Sequence, residues 1–376
     1  MSGGAPLNIV VLGLSITSSW GNGHATTWRA LLRAFAERGH RVLFLERDMP
    51  WYAANRDLPD PGYCRVALYD GLPALVRDWA GTVSDADAII IGSYVPEGAA
   101  AARLVRRIAR GAVAFYDIDT PVTVAALAAD RCEYLDRGQL AAFDLVLSFT
   151  GGPMLDRLCT EFGARDARVL HCSVDADAYR PEPDCPRRWD LSYLGTYGAD
   201  RQPALERLLI APARRAPHLR FAVAGPQYPA EIDWPANVER LDHVAPGDHP
   251  AFYAASRYTL NVTRADMVRA GWSPSVRLFE AAACGTPIIS DAWPGLAALF
   301  HPRREIVVAE STEEVLHVLS AASDAERDAM GAAARRRVLG AHTARHRAAE
   351  LEAHLRDAIA AGRSRASARI AEHLAT

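Results

Sequence analysis

Residues Asn8–Asp48 read NIVVLGLSITSSWGNGHATTWRALLRAFAERGHRVLFLERD. The run NIVVLGLSI has strand length, TSSWGNGH is turn chemistry, ATTWRALLRAFAERG has apolar residues at helical spacing, and HRVLFLERD is a second strand. Strand, helix and strand in this order form a βαβ unit, the signature of a parallel sheet. Short apolar strands recur downstream as DAIIIG near Ile89, AVAFYD near Phe115 and DLVLSF near Leu145, separated by helical stretches such as EGAAAARLVRRIARG. This half reads as doubly wound.

Tyr179–Arg188 (YRPEPDCPRR) interrupts the pattern, because each proline removes a donor and restricts its predecessor. The pattern restarts with DLSYLG at Asp190, RFAVAG at Arg220, YTLNV at Tyr258, TPIIS at Thr286 and EIVVA at Glu305. Serines 311 and 323, each followed three residues later by glutamate, are capping boxes that open late helices. The expected architecture is α/β, with two Rossmann-like doubly wound domains facing a central cleft. Its parts are an N-terminal domain 1–178, a linker 179–188, a C-terminal domain 189–345 and a C-terminal helix 346–376 able to pack back across the cleft.

Bulk properties narrow the function classes. At 376 residues the chain exceeds what one core usually organises. Half the residues are hydrophobic and 23% are charged, the balance of a packed globular protein. A net charge of -3 with intermixed signs gives no field for nucleic acid. Every basic residue other than histidine is arginine, which removes Schiff-base and P-loop lysines from the menu. The six cysteines form no C-x-x-C pair and follow no signal peptide, so reduced thiols and a cytoplasmic location are expected. No apolar run reaches membrane-spanning length, which leaves only peripheral membrane contact open.

The segment Ser273–Asp291 (SPSVRLFEAAACGTPIISD) carries the chemistry. Ser273 is placed to cap a helix, Pro274 stands at its first turn, Gly285 ends it and a strand follows. Free amides around Ser275, Val276 and Arg277, with the Arg277 guanidinium, suit a diphosphate. Glu280, almost two turns in, can accept two ribose hydroxyl bonds.

The run E-A-x-A-C-G-T-P followed by two β-branched residues resembles the donor motif of GT-B retaining glycosyltransferases, of the glycosyl transferases group 1 kind. It is similar in particular to the CgeB-like (spore-maturation) branch. DLSYLGTYGADR (Asp190–Arg201), RFAVAG, LNVTRADM (Leu260–Met267) and the Arg269, Gly271, Ser273 cluster support the resemblance. It implies a nucleoside-diphosphate sugar as co-substrate and no other cofactor. It also implies a loop at Gly195 and Thr196 facing the donor phosphates, with Arg201 and Arg269 adding charge. The broader family often has a glutamate eight positions before the ribose-binding one, where this chain has Trp272.

In the first domain the loop after the first strand puts Trp20, Gly21, Gly23 and His24 at the carboxyl edge of the sheet, where ligands bind in open α/β folds. At a helix N-terminus His24 is favoured as a neutral imidazole able to take a proton from an acceptor hydroxyl. Asp117 or Asp119, after AVAFY, can orient it, and Trp51, Tyr52 and Tyr94 lie on further loops of that edge. A histidine base resembles inverting GT-B enzymes while the donor motif resembles retaining ones, so the stereochemical outcome stays open. The D-x-D triplets at Asp85/Asp87, Asp117/Asp119 and Asp175/Asp177 lack further oxygen ligands, and metal-independent chemistry is expected.

The expected activity is transfer of a sugar to an acceptor hydroxyl on a glycan, lipid or small molecule. An oxidoreductase is disfavoured because no G-x-G-x-x-G follows a strand closely. A GT-B nucleotide-sugar epimerase and a non-catalytic nucleotide-sugar binder are the alternatives that share the donor segment.

Overall fold

The computed structural model describes residues 4–374, with side chains described through 364. It divides into two compact units, one comprising Met1–His171 with Arg345–Thr376 and the other Cys172–Ala344.

Unit 1 is a seven-stranded sheet. Its strands are β1 (Asn8–Gly13), β2 (Arg41–Arg47), β3 (Arg65–Tyr69), β4 (Ala88–Gly92), β5 (Ala112–Asp117), β6 (Leu145–Ser148) and β7 (Ala167–Val169). All pairs are parallel, in the order β3-β2-β1-β4-β5-β6-β7. Unit 2 repeats the plan with six strands: β8 (Trp189–Leu194), β9 (Phe221–Ala224), β10 (Val238–Leu241), β11 (Ser256–Asn261), β12 (Ile288–Ser290) and β13 (Val307–Val308). Their order is β10-β9-β8-β11-β12-β13, again parallel throughout.

Parallel strands covered by helices on both faces must be apolar on both sides, and β4 and β5 are buried at every position. Trp28, fully buried on the helix Gly23–Glu37, meets the rings of Phe44 and Tyr116 edge-on. In unit 2, Leu191, Tyr193, Leu208, Phe221, Tyr258 and Leu260 form the corresponding core. Burying each such side chain stabilises by about 1.5–3 kcal/mol.

In each sheet the strand order reverses beside the first strand, between β1 and β4 and between β8 and β11. The carboxyl ends of those pairs are the topological switch points, where open α/β sheets bind ligands.

The C-terminal helix starts at Ala344 and runs to Leu374, while residues 375 and 376 of the expected helix lie outside the described residues. Within unit 1 it is anchored through buried Glu352, which takes Arg38 and Arg356 and faces His40 Nε2 at 3.2 Å. His40 Nδ1 accepts the Leu7 amide at 3.0 Å, which puts the ring proton on Nε2, toward the carboxylate. Ser311 and Ser323 cap their helices, the latter with a complete capping box. No helix among the described residues is long and apolar enough to cross a membrane.

Candidate functional site

At the unit 1 switch point, the loop after β1 enters the helix Gly23–Glu37 through Asn22. Its side chain accepts the His24 amide at 3.1 Å and donates to the carbonyls of Ser15 and Ser18. The loop after β4 brings Tyr94 edge-on to the His24 ring with centroids 5.2 Å apart. Tyr94 donates to Asp119 Oδ2 at 3.2 Å, and His24 Nε2 lies 3.7 Å from the same oxygen. His24 Nδ1 is buried without a hydrogen-bond partner. Tyr94 and Glu97 hold left-handed backbone conformations at φ 62° and 55°, strain of about 1–3 kcal/mol each concentrated in one loop.

The two aspartates offered as partners for His24 separate into different roles. Asp119 faces the histidine. Asp117 is buried and accepts the Thr123 hydroxyl at 2.8 Å and the Asp119 amide at 3.2 Å through Oδ1, so it shapes the turn that carries Asp119. Burial pushes its carboxyl up to about 7, against the opposing pull of Thr123. Asp175 accepts the Asp177 amide in the same way at 3.0 Å, so both triplets are local Asx turns. No group of three or more potential metal ligands occurs among the described residues. Trp20 stands out of the surface, Gly21 has the φ of 59° that favours glycine, and a Cβ on Gly23 would meet nothing within 4 Å.

In unit 2 the helix spans Val276–Ala283 with Ser275 as its N-cap. This corrects the expectation that Ser273 caps it. Gly271 and Trp272 turn left-handed, at φ 67° and 54°, and the Trp272 amide bonds to Pro294 O at 2.6 Å. The chain is therefore still turning at Ser273, which is buried ahead of the first helical residue. Ser275 Oγ donates to Asn261 Oδ1 at 2.7 Å, and no side chain caps the first-turn amides. Gly285 ends the helix at φ 75°, as expected of a C′ glycine.

Arg277 spans the switch point. Its Nε donates to Leu194 O on β8 at 2.5 Å, its Nη1 to Asn261 Oδ1 on β11 at 3.1 Å, and its guanidinium lies 4.7 Å over the Tyr193 ring. A Cβ on Gly195 would stand 2.7 Å from both Arg277 Nη2 and Tyr193 Oη, so glycine leaves a polar cradle there. Tyr193 Oη and Arg201 Nε are buried without hydrogen-bond partners at this end of β8, while Arg201 Nη2 donates to Thr196 O at 2.6 Å. Gly225 approaches so closely that its Cβ would fall 2.1 Å from Gly195 O. The structure thus gathers Gly195, Thr196, Arg201, Ser275, Val276 and Arg277. Arg269, the exposed residue of the otherwise half-buried helix Ala265–Ala270, pairs with Asp266 instead.

Glu280 is enclosed, with 3% exposure. Its Oε2 accepts the Tyr253 hydroxyl at 3.1 Å and lies 3.8 Å from His249 Nδ1, which contacts the Tyr179 hydroxyl at 3.1 Å. Burial works to raise its pKa, but the neighbouring His249 and the two tyrosine hydroxyls outweigh it, so the net direction is down. Tyr179, assigned to the linker from its prolines, is a buried member of this cluster.

Residues that sequence reasoning missed include Tyr193, Gly225 and Asn261. Asn261 uses Oδ1 for Ser275 and Arg277 and Nδ2 for Thr263 and Ser290. An asparagine ending the apolar run YTLN was the available signal, since strands disfavour it unless a network holds it.

The family model described as "Glycosyl transferase-like" matches residues 201–353, which include the helix Val276–Ala283. No curated protein matches the sequence. The chain has the α/β GT-B fold of solved glycosyltransferase structures. Sucrose-phosphate synthase from Thermosynechococcus elongatus superposes with a TM-score of 0.70 at 15% identity, covering 94% of this chain and 100% of that one. Anabaena HepE in complex with UDP and glucose gives 0.71 at 13% identity, covering 93% and 100%. AviGT4, a glycosyltransferase involved in avilamycin A biosynthesis, gives 0.59 at 16% identity, covering 95% and 99%.

Proposed function

We propose that the chain is a metal-independent glycosyltransferase that moves a sugar from a nucleoside-diphosphate sugar to an acceptor hydroxyl. The observation that carries this reading is the family match over residues 201–353, which contain an uncapped helix N-terminus with Arg277 across the switch point. Uncapped amides and a guanidinium with Nη2 beside the Gly195 cradle suit a diphosphate and can stabilise it as it leaves. Arg201 adds charge, and neutralisation by arginine implies that turnover persists in chelator. The complexes of HepE with UDP and with UDP-glucose favour such a donor by analogy of fold.

On unit 1, His24 is the base in this reading. Its Nε2 lies 3.7 Å from Asp119 Oδ2, an oxygen held by the Tyr94 hydroxyl, and Nε2 with that carboxylate takes up the acceptor proton. The test is nucleotide release from a panel of UDP-, GDP-, ADP- and dTDP-sugars, with and without acceptors and with EDTA present. The account expects release from at least one donor, at least 100-fold slower in His24→Ala with donor affinity unchanged. Release from no donor would sink it.

Glu280 is the ribose partner in the same reading, which requires ribose hydroxyls to join the Tyr253 and His249 cluster. Glu280→Gln should weaken UDP binding about tenfold by removing one charged acceptor. Unchanged affinity with a lowered melting temperature would reassign Glu280 to holding that cluster together.

A further inference from the structure

Trp20 and Trp51 are 54% and 49% exposed, although indoles are usually well covered. Trp20 stands on the loop after β1, and Trp51 on the short helix Pro50–Ala53 in the connection after β2; the parallel register of these neighbouring strands sets Gly13 opposite Glu46, so both connections leave the same sheet edge side by side.

The loops are bonded to each other. The Ser19 amide and hydroxyl both donate to Asp57 at 2.8 Å, and Arg29 grips the same carboxylate with two bonds of 2.8 Å. The Leu58 amide reaches Thr17 O at 3.0 Å, the Ser18 hydroxyl reaches Asn55 O at 2.7 Å, and Asn55 Nδ2 returns to Trp51 O at 2.8 Å. A frame this heavily cross-linked displays its two indoles in fixed positions, so little ordering entropy is lost when something stacks on them. The cations of the frame are consumed internally: Arg29 pairs with Asp57, and Arg56 with Asp48 at 2.6 Å, while Asp60 stays exposed. The frame therefore offers flat apolar faces with an unpaired carboxylate and no spare cation, which disfavours an anionic group and suits a neutral aromatic ring. Trp20 also lies in the loop that enters the His24 helix, four residues before the histidine.

We propose that Trp20 and Trp51 form the acceptor platform of unit 1 and that the acceptor is a neutral aromatic aglycone bearing the hydroxyl that His24 deprotonates. The assignment of the hydroxyl rests on the glycosyltransferase reading above. The stacking platform does not.

The test measures binding without nucleotide, by ligand-detected saturation-transfer NMR and calorimetry, to wild type, the double variant Trp20→Ala/Trp51→Ala, and Trp20→Phe. The probes are 4-methylumbelliferone and phenyl β-glucoside as neutral aryl compounds, phenyl phosphate as their anionic counterpart, and phosphatidylcholine/phosphatidylglycerol vesicles. The neutral aryl probes should bind wild type, lose tenfold or more in affinity in the double variant, and stay within threefold in Trp20→Phe, with cooperative thermal unfolding retained in all three proteins because about half of each indole lies outside the packed surface. Three results would overturn the proposal: no neutral probe binding wild type, equal binding by the double variant, or tryptophan-dependent binding of vesicles or phenyl phosphate in preference to the aryl compounds. Because no nucleotide is present, failure here leaves the donor reading standing. Failure of UDP to bind unit 2 likewise leaves an aromatic platform standing on its own.

Discussion

The two units place a loop after their first strand at the same topological position and fill it in opposite ways. In unit 1 the loop after β1 already holds an anion: Glu46, fully buried, accepts the amides of Ile16 at 2.8 Å and Thr17 at 3.1 Å and the Thr17 hydroxyl at 2.6 Å. In unit 2 the end of β8 and the loop after it have Tyr193 Oη and Arg201 Nε without partners, and Arg277 lies beside the Gly195 cradle. One βαβ frame therefore serves two purposes. Where the protein supplies its own carboxylate, the anion-attracting amides are occupied and the edge is free to position His24 and Asp119. In unit 2 the carboxylate of that loop, Asp200, is turned to the Ala265 amide and Arg264, and the donors of Arg201 and Arg277 are what the proposed donor reading assigns to an anionic ligand.

Removing the internal anion should have the largest effect. Glu46→Ala leaves two buried amides and a hydroxyl unsatisfied and should cost about 3 kcal/mol in denaturant unfolding. A loss below about 0.5 kcal/mol, the range of ordinary surface changes, would mean that Glu46 does not organise this loop.

A matched pair of glycine substitutions probes the next contrast. In Gly195→Ala the methyl would crowd Arg277 Nη2 and Tyr193 Oη at 2.7 Å, and UDP affinity should fall about tenfold, or about 1.4 kcal/mol. Gly23→Ala adds a methyl that meets nothing within 4 Å and should change stability and UDP affinity little. Equal effects of the two would erase the asymmetry between the loops.

The smallest effect separates Asp117 from Asp119 by pH. Because burial raises the Asp117 carboxyl from 3.8 to about 7, the stability carried by its protonated form is complete below the unfolded value and is lost as pH rises through 7. Between pH 6.5 and 8 wild type should lose about 0.8 kcal/mol that Asp117→Asn, neutral throughout, retains. Parallel stability profiles for the two proteins would mean that Asp117 is ionised well below neutrality.

What the sequence disclosed follows burial. The central strands announced themselves as continuous apolar runs, whereas β3, β7 and β10 gave no clear signal. All three lie at sheet edges, where positions such as Arg65, Arg168 and Glu239 face outward and break the apolar pattern. The donor segment was legible as helix, glycine and strand because local capping and turn chemistry encode it. The shift of its start from Ser273 to Ser275 was not legible, because it depends on Trp272 adopting a left-handed conformation against Pro294. The roles of Glu46 and Asn261 arise from residues about thirty and fifteen positions away in the chain, contacts that no local pattern carries. Tyr179 was hidden for the same reason, since its partner His249 belongs to a distant helix.

The central claim is that unit 2 takes a nucleoside diphosphate through the Arg277 cradle. It is tested most directly by calorimetric titration of UDP, GDP, ADP and dTDP, in chelator, into wild type and Arg277→Met, which keeps an apolar stem over Tyr193. The account predicts saturable binding of at least one nucleotide to wild type and a loss of about thirtyfold or more in the variant, as expected for a charged hydrogen-bonding partner. Equal affinity in the two proteins, or no binding of any of the four to wild type, would contradict it.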